Sequence, residues 1–307
     1  MKQFLGSEAI TTYDESKVII LPIPYEKTTT YRKGCEHGAL AIIEASDQLE
    51  AYDTELQQET CFKVPIYTLD AIADTRINPT ITPEEMLAAT TQAVAKLIKD
   101  GKFAIALGGE HAITEGVVRA YQQAFNDPFT VVQIDAHGDM RYSYQGSIYN
   151  HACVMRRILD LGLPTLPIGI RSICQEEARL IAARKIPVFY ARDIYYDRNW
   201  SEKAIAAITT QKVFVTIDLD GLDPSLLPGV GTPEPGGLNW YELTQFLKQL
   251  FLRKEVIGCD VMELAPLQDS VVSQFTAAKL VYKLIGYYSL SQKNRITVGS
   301  LHKSLLN

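Results

Sequence analysis

Seven short runs rich in Val, Ile and Phe punctuate this 307-residue chain, at 17–24, 102–108, 129–135, 166–170, 186–190, 212–219 and 255–262. Each has the length of a buried strand, and most are separated by segments with helical periodicity. That alternation narrows the choice of fold more than any other feature. Strands linked through helical crossovers pair in parallel, because a parallel neighbour is reached only by a connection long enough to return along the sheet. The expected architecture is therefore α/β, a three-layer α/β/α sandwich around a mostly parallel sheet. With no repeat and no Pro/Gly/Ser linker, residues 1–307 read as a single catalytic domain. The clearest helix opens at Thr82-Pro-Glu-Glu, with a cap, a first-turn proline and early acids, and stops at Gly101. Met86, Ala89, Ala93 and Leu97, with Val94 beside them, form its expected buried face. The polar stretch 53–60 and the loop 77–83 read as surface connections.

Composition limits the partners. Hydrophobic residues are 47% and charged residues 21%, the profile of a water-soluble globular chain. A formal charge of −6 with no basic tract argues against nucleic acid and anionic membranes and suits a small cationic ligand. The five cysteines are scattered, odd in number and never in a Cys-x-x-Cys pair, so neither a disulfide framework nor a thiolate metal site is expected. The first residues lack the apolar stretch of a secretory signal, and no run approaches the roughly 18 apolar residues of a membrane span. The expected location is the cytoplasm.

Three of the apolar runs end in metal-binding side chains. The run at 129–135 leads into Asp135-Ala-His137-Gly-Asp139, and an extended chain would project those three groups to one side. The run at 212–219 ends in Asp218-Leu-Asp220, and the run at 102–108 leads through a glycine turn to His111. In a parallel sheet these ends share one edge, where ligands bind. A lone Asp-x-Asp is more often a turn device than a ligand pair, but three such elements together point to metal. Four aspartates so placed repel one another unless cations neutralise them, and two divalent ions offset most of that charge. Carboxylate-rich ligation favours Mn²⁺ while leaving Fe, Co, Ni and Zn open. His37 and His302 have no comparable setting and read as surface or packing residues.

These elements, in this order, resemble the ureohydrolase family of arginases and agmatinases. The matching motifs are Gly108-Gly-Glu-His111, Asp135-Ala-His-Gly-Asp139, Asp218-Leu-Asp-Gly-Leu-Asp-Pro224, Gly231-Thr-Pro-Glu-Pro-Gly-Gly237 and Asp260-Val-Met-Glu263, with Pro22-Ile-Pro-Tyr25 to Lys33-Gly34 before them. The resemblance implies one ion held by His111, Asp135, Asp139 and Asp218, and a second by Asp135, His137, Asp218 and Asp220. It implies hydrolysis of a guanidino group to an amine and urea, with two Mn²⁺ lowering the pKa of a shared water so that no protein nucleophile is needed. It assigns Glu263 to the guanidinium, whose paired N–H groups suit a carboxylate, and His151 to proton delivery near neutral pH. Thr232 is a candidate for orienting substrate, Arg141 a candidate contact at the pocket mouth or a surface cation, and Asp223 a support for the metal loop. A Cys153–His151 nucleophile pair is the weaker alternative, since no oxyanion hole or third member accompanies it; Cys153 reads as packing. Family members commonly form trimers or hexamers.

The loop 140–150 looks like the agmatinase branch, making agmatine, cleaved to putrescine and urea, the first choice of substrate. Guanidinobutyrate, arginine and guanidine are the alternatives. Two rival classes stay open: a two-metal phosphoesterase, disfavoured because only Arg141 stands near the ligands to hold a phosphate, and an inactive metal-binding regulatory protein, which would place no demand on His151 or Glu263.

Overall fold

The computed structural model describes residues 2–6 and 10–304, with side chains as far as Lys293. Its strands are β1 (Val18–Ile23), β2 (Tyr52–Asp53), β3 (Gln58–Glu59), β4 (Ile66–Thr68), β5 (Phe103–Gly108), β6 (Thr130–Ile134), β7 (Thr165–Ile170), β8 (Phe189–Tyr190), β9 (Lys212–Asp218) and β10 (Glu255–Met262). Eight of them form one sheet in the order β4-β1-β5-β10-β9-β6-β7-β8. Every pairing in it is parallel.

Alternate residues of each strand feed opposite cores, as a period of two requires. Val18 and Ile20 of β1, Ile105 of β5 and Val215 of β9 join a cluster with Ile42, Phe246 and Leu284 from helices Gly38–Ser46, Trp240–Arg253 and Val272–Ser304. Ile19 and Leu21, Ala106 and Phe214 join the other, with Met86, Val117 and Ile158 from helices Pro83–Lys99, Ile113–Ala124 and Val154–Asp160. Helices thus cover both faces of the sheet, giving the expected three layers. Each fully buried aliphatic side chain in these clusters contributes about 1.5–3 kcal/mol of transfer free energy.

The helix Pro83–Lys99 starts as expected, on a capping box formed by Thr82 and Glu85. Its buried face is rotated from the expected one: Met86, Leu87, Thr90, Val94 and Leu97 are buried, while Ala89 and Ala93 lie at the margin. The two larger side chains at 87 and 94 set the orientation, because they carry more apolar area than alanine. The run at 186–190 shrinks to the two-residue edge strand β8, since Pro187 has no N–H for a ladder. The stretch 53–60 is not a plain surface connection. It holds the β2–β3 hairpin, and the buried Asp53 accepts from Lys283 Nζ at 2.8 Å.

Strand order determines where a ligand can sit. β5 and β6 follow one another in sequence but are separated in the sheet by β10 and β9. Such a reversal opens a crevice at the C-terminal ends of the strands. All three loops that carry the candidate ligands, and Glu263 after β10, emerge from these four central strands.

Candidate metal centre

The sheet brings the three strand ends together. His111 Nδ1 lies 3.2 Å from Asp135 Oδ2, 3.0 Å from Asp139 Oδ2 and 3.3 Å from Asp218 Oδ2. His137 Nδ1 lies 2.9 Å from Asp220 Oδ2 and 3.7 Å from Asp135 Oδ1. One nitrogen and three carboxylates therefore converge in the first set, and His137, Asp135 and Asp220 in the second, with donor atoms in each set within 4.8 Å of one another. The two oxygens of Asp135 face different sets. Asp218 stands in the first, its Oδ1 accepting the Asp220 backbone N–H at 2.9 Å.

Such a donor set fits divalent cations on its own chemistry. Burial raises Asp135 and Asp218, and the charges of neighbouring carboxylates raise them further. Burial lowers His111, but hydrogen bonds to Asp135, Asp139 and Asp218 outweigh it and lift its pKa well above the ordinary imidazole value. The site therefore favours positive charge.

Local backbone explains the convergence, and differs from an extended chain. Asp139 sits at φ 52, in the left-handed region, so the alternation inferred from sequence stops at His137. The turn has a partner: the Asp139 carbonyl accepts N–H groups of Met155 and Arg156 at the start of helix Val154–Asp160. Glu263, at φ 67, is the other left-handed residue of the site. Its Oε1 accepts the His111 N–H at 2.7 Å, and burial raises its carboxyl well above the usual range. Two bulky residues in this region mark a site whose surroundings hold the backbone in place.

A cavity of about 250 Å³ opens onto these groups, lined by Asp139, Asp218, Asp220, Glu263, His151 and Tyr144 among others. His151 starts a short 3-10 turn capped by Asn150, and its ring meets the edge of Tyr144 at 6.3 Å between centroids. Burial lowers the His151 pKa, and the positive charges of His111 and His137 add to this against the pull of Asp139. Thr232 also lines the cavity, but its hydroxyl is directed to Asp220 Oδ2 at 3.4 Å. The Arg141 guanidinium lies 4.8 Å from the centre of the Tyr144 ring, so its charge meets an aromatic face. Asp223 accepts from Ser225, Gly236 and Gly237, which ties the loop after Asp220 to the glycine turn. Cys153 is buried and its thiol is pushed up to about 12, which leaves no thiolate near neutral pH. His37 lies exposed, and the His302 side chain falls outside the described residues.

Four supporting residues went unread in the sequence. Gln133 Nε2 donates to Asp135 Oδ2 at 2.7 Å, and Thr216 Oγ1 lies 2.9 Å from His111 Nε2. Their signal was a polar residue two positions before an aspartate in an otherwise apolar strand, hence on the same face. Glu177 accepts from the backbone of Met140 and Cys174, joining the loop after Asp139 to helix Gln175–Arg184. Arg171 corrects the expectation that only Arg141 stands near the ligands. Its guanidinium donates to the carbonyls of Gly169, Asp220 and Glu234 at 3.0, 2.6 and 2.8 Å. It is spent on backbone, as is Arg32 on Ala265 and Pro266, so neither is free to grip a phosphate.

Comparison with known proteins identifies the family. A Synechocystis protein named N(1)-aminopropylagmatine ureohydrolase is 60% identical over 295 residues, 96% of each chain. A Pyrococcus horikoshii agmatinase is 34% identical, covering 89% of this chain and 92% of its own. The crystal structure of agmatine ureohydrolase of Thermoplasma volcanium superposes with a TM-score of 0.82 at 31% identity, covering 95% of this chain and 96% of that one. With the arginase family matched across residues 16–286, the chain belongs to that family.

Proposed function

We propose that this protein is a two-metal ureohydrolase that removes urea from a guanidino compound with a polyamine tail, N1-aminopropylagmatine first and agmatine second. The observation that carries the reading is one crevice in which two Asp/His sets, a buried Glu263 and His151 surround a single cavity. His111, Asp135, Asp139 and Asp218 would hold one ion, and Asp135, His137 and Asp220 with Asp218 the other. The oxygen-rich donor set favours Mn²⁺. When bound, the ions would lower the pKa of a water and so supply hydroxide to the guanidinium carbon.

The chain's own groups do the rest. Glu263 accepts the guanidinium N–H groups with the lone pairs that His111 leaves unused, which orients the planar carbon toward the metal ligands. His151, its proton affinity lowered by burial, carries a proton to the departing amine. Water adds to the guanidinium carbon, the bond from that carbon to the tail nitrogen breaks, and the amine leaves as urea forms. From N1-aminopropylagmatine the amine product is spermidine, and from agmatine it is putrescine.

The choice of tail is supported by the name of the relative at 60% identity over nearly the whole chain. Agmatine stands second because a relative at 34% identity is named an agmatinase. Steady-state urea release with Mn²⁺ tests the order: kcat/KM is expected to be highest on N1-aminopropylagmatine and lower on agmatine, with arginine and guanidinobutyrate far behind. Fastest turnover on agmatine would promote the second reading, and fastest turnover on a guanidino acid would sink both.

A further inference from the structure

Glu110 is wholly buried beside His111 and belongs to neither ligand set. Its Oε2 accepts the backbone N–H groups of Lys27 and Thr28, the latter at 2.6 Å. Its Oε1 accepts the Thr28 hydroxyl at 2.7 Å. Thr28 Oγ1 lies in turn 3.0 Å from the His151 backbone nitrogen and 3.2 Å from His151 Nδ1. The three residues come from the loops after β1 and β5 and from the loop before helix Val154–Asp160.

A hydroxyl has one proton and two lone pairs. Here the hydroxyl directs its proton to Glu110 Oε1, the other carboxyl oxygen being taken by two backbone N–H groups. Both contacts with His151 are then ones in which Thr28 accepts, one from the backbone N–H and one from Nδ1–H. A neutral imidazole with hydrogen on Nδ1 has its lone pair on Nε2. The ring is further steadied by the edge of Tyr144. His151 lines the cavity with Asp139, Asp218 and Glu263.

We infer that Glu110 and Thr28 form a relay that fixes the tautomer of His151, with Thr28 as a positioning residue that keeps Nε2 free to exchange a proton with substrate. The catalytic consequence rests on the proton-carrying role proposed above for His151; the tautomer itself does not. To carry a proton to the amine, His151 must first take one up on Nε2; the wrong tautomer would present N–H where that lone pair is needed, and a rotating ring would spend its time in unproductive poses. General acid–base groups contribute about 10²–10⁴ to rate, so a mispositioned one forfeits a sizeable part of that.

The test uses the full chain labelled with ¹⁵N-histidine, with His151 assigned by the signal lost in His151→Asn. Near neutral pH the unsubstituted protein is expected to show a protonated-type shift at Nδ1 and a lone-pair shift at Nε2. Thr28→Val should move His151 toward the opposite tautomer or a mixture and lower kcat by roughly 10- to 100-fold with KM changed by less than about 2-fold. Thr28→Ser, which restores the hydroxyl, should recover the tautomer and most of the kcat. Hydrogen on Nε2 in the unsubstituted protein overturns the relay, because Thr28 would then be donating to the ring. Unchanged kcat in Thr28→Val overturns the positioning role. If Thr28→Val does not fold, the unsubstituted spectrum and the Thr28→Ser pair still decide. Lack of urea release from every guanidino compound by the unsubstituted enzyme would count against the proposed function alone, since the tautomer is read without turnover.

Discussion

Arg171 braces the loop that carries Asp220, and replacing it with methionine is expected to cost about 3 kcal/mol of stability. The side chain reaches six carbonyls, those of Gly169, Asp220, Gly221, Leu222, Glu234 and Pro235. Three lie within 3.0 Å, and charge-assisted bonds of that length contribute about 1.5 kcal/mol each at the lower end of their range. Their sum, about 4.5 kcal/mol, is reduced because burying a guanidinium is costly. Burial is also the main influence on its pKa, which it lowers against the raising effect of Asp220 and Asp135. Methionine keeps much of the stem volume, so what is lost is the fork. Lysine has three donors radiating from one atom in place of five in a plane, and Arg171→Lys should still lose about 1–2 kcal/mol. Urea unfolding of the metal-free protein measures the stability. Competition with a chelator measures the second consequence, a fall in divalent-ion affinity of about 10-fold or more as the Asp220 loop loosens. An Arg171→Lys protein with unchanged stability and unchanged metal affinity would show that the planar fork does not brace the Asp220 loop.

Other consequences are open to equally direct measurement. Mn²⁺ at about 100 times its Kd should stabilise the folded protein by about 2.7 kcal/mol in thermal unfolding; Asp135→Asn, whose oxygens face both sets, should lose most of that gain while Glu263→Gln keeps it. Lys283→Met leaves the buried Asp53 carboxylate without its cation and should cost about 3–5 kcal/mol, partly recovered by adding Asp53→Asn; a loss below about 1 kcal/mol would show the pair to be dispensable. The same cluster sets a pH window. Burial raises Glu55, but hydrogen bonds from Lys283 and Lys248 hold it below its ordinary value, so its contribution is complete above about pH 4.3 and is lost as pH falls through the lowered pKa. Burial lowers Lys283, but Asp53 and Glu55 hold it above its ordinary value, so its contribution is complete below about pH 10.4 and lost at higher pH. The acid limb of Tm against pH should therefore flatten in Lys283→Met. Gly109→Ala should fail to fold or lose more than about 3 kcal/mol, because a Cβ there would stand 2.0 Å from the Tyr25 carbonyl oxygen; normal Tm in that variant would contradict the tight approach.

How far the fold could be read depended on whether the relevant force was local. β1, β5, β6, β9 and β10 are buried on both faces, so their apolar runs stand out in sequence. β4 has three residues and β8 two, and strands that short are defined by the neighbour they pair with. Of the candidate site, the Asp and His groups at strand ends were legible because strand direction and period two place them. The left-handed turn at Asp139 was not, since it is selected by the start of helix Val154–Asp160, 15 residues further on. Thr28, Glu110 and His151 lie 82 and 41 residues apart and are joined only by the sheet. Arg171 carries no motif at all, because its partners are backbone carbonyls that every sequence possesses.

The order of strands also dictates when the centre can exist. As the chain is laid down from its N-terminus, β5 and β6 form with the places of two strands between them still unfilled. β9 brings Asp218 and Asp220, whose carboxylate reaches back 84 residues to the Ala136 N–H, and β10 brings Glu263, which reaches back 152 residues to His111. Contacts of that span are slow to form, because the intervening loop must be closed before they return any energy. His111 and Asp135 thus wait half-assembled until the last two central strands slot in. Capture of the proposed ions would accordingly be a late event that reports a completed sheet, and a chain stopped before residue 212 would carry part of the candidate ligand set with no centre to place it in.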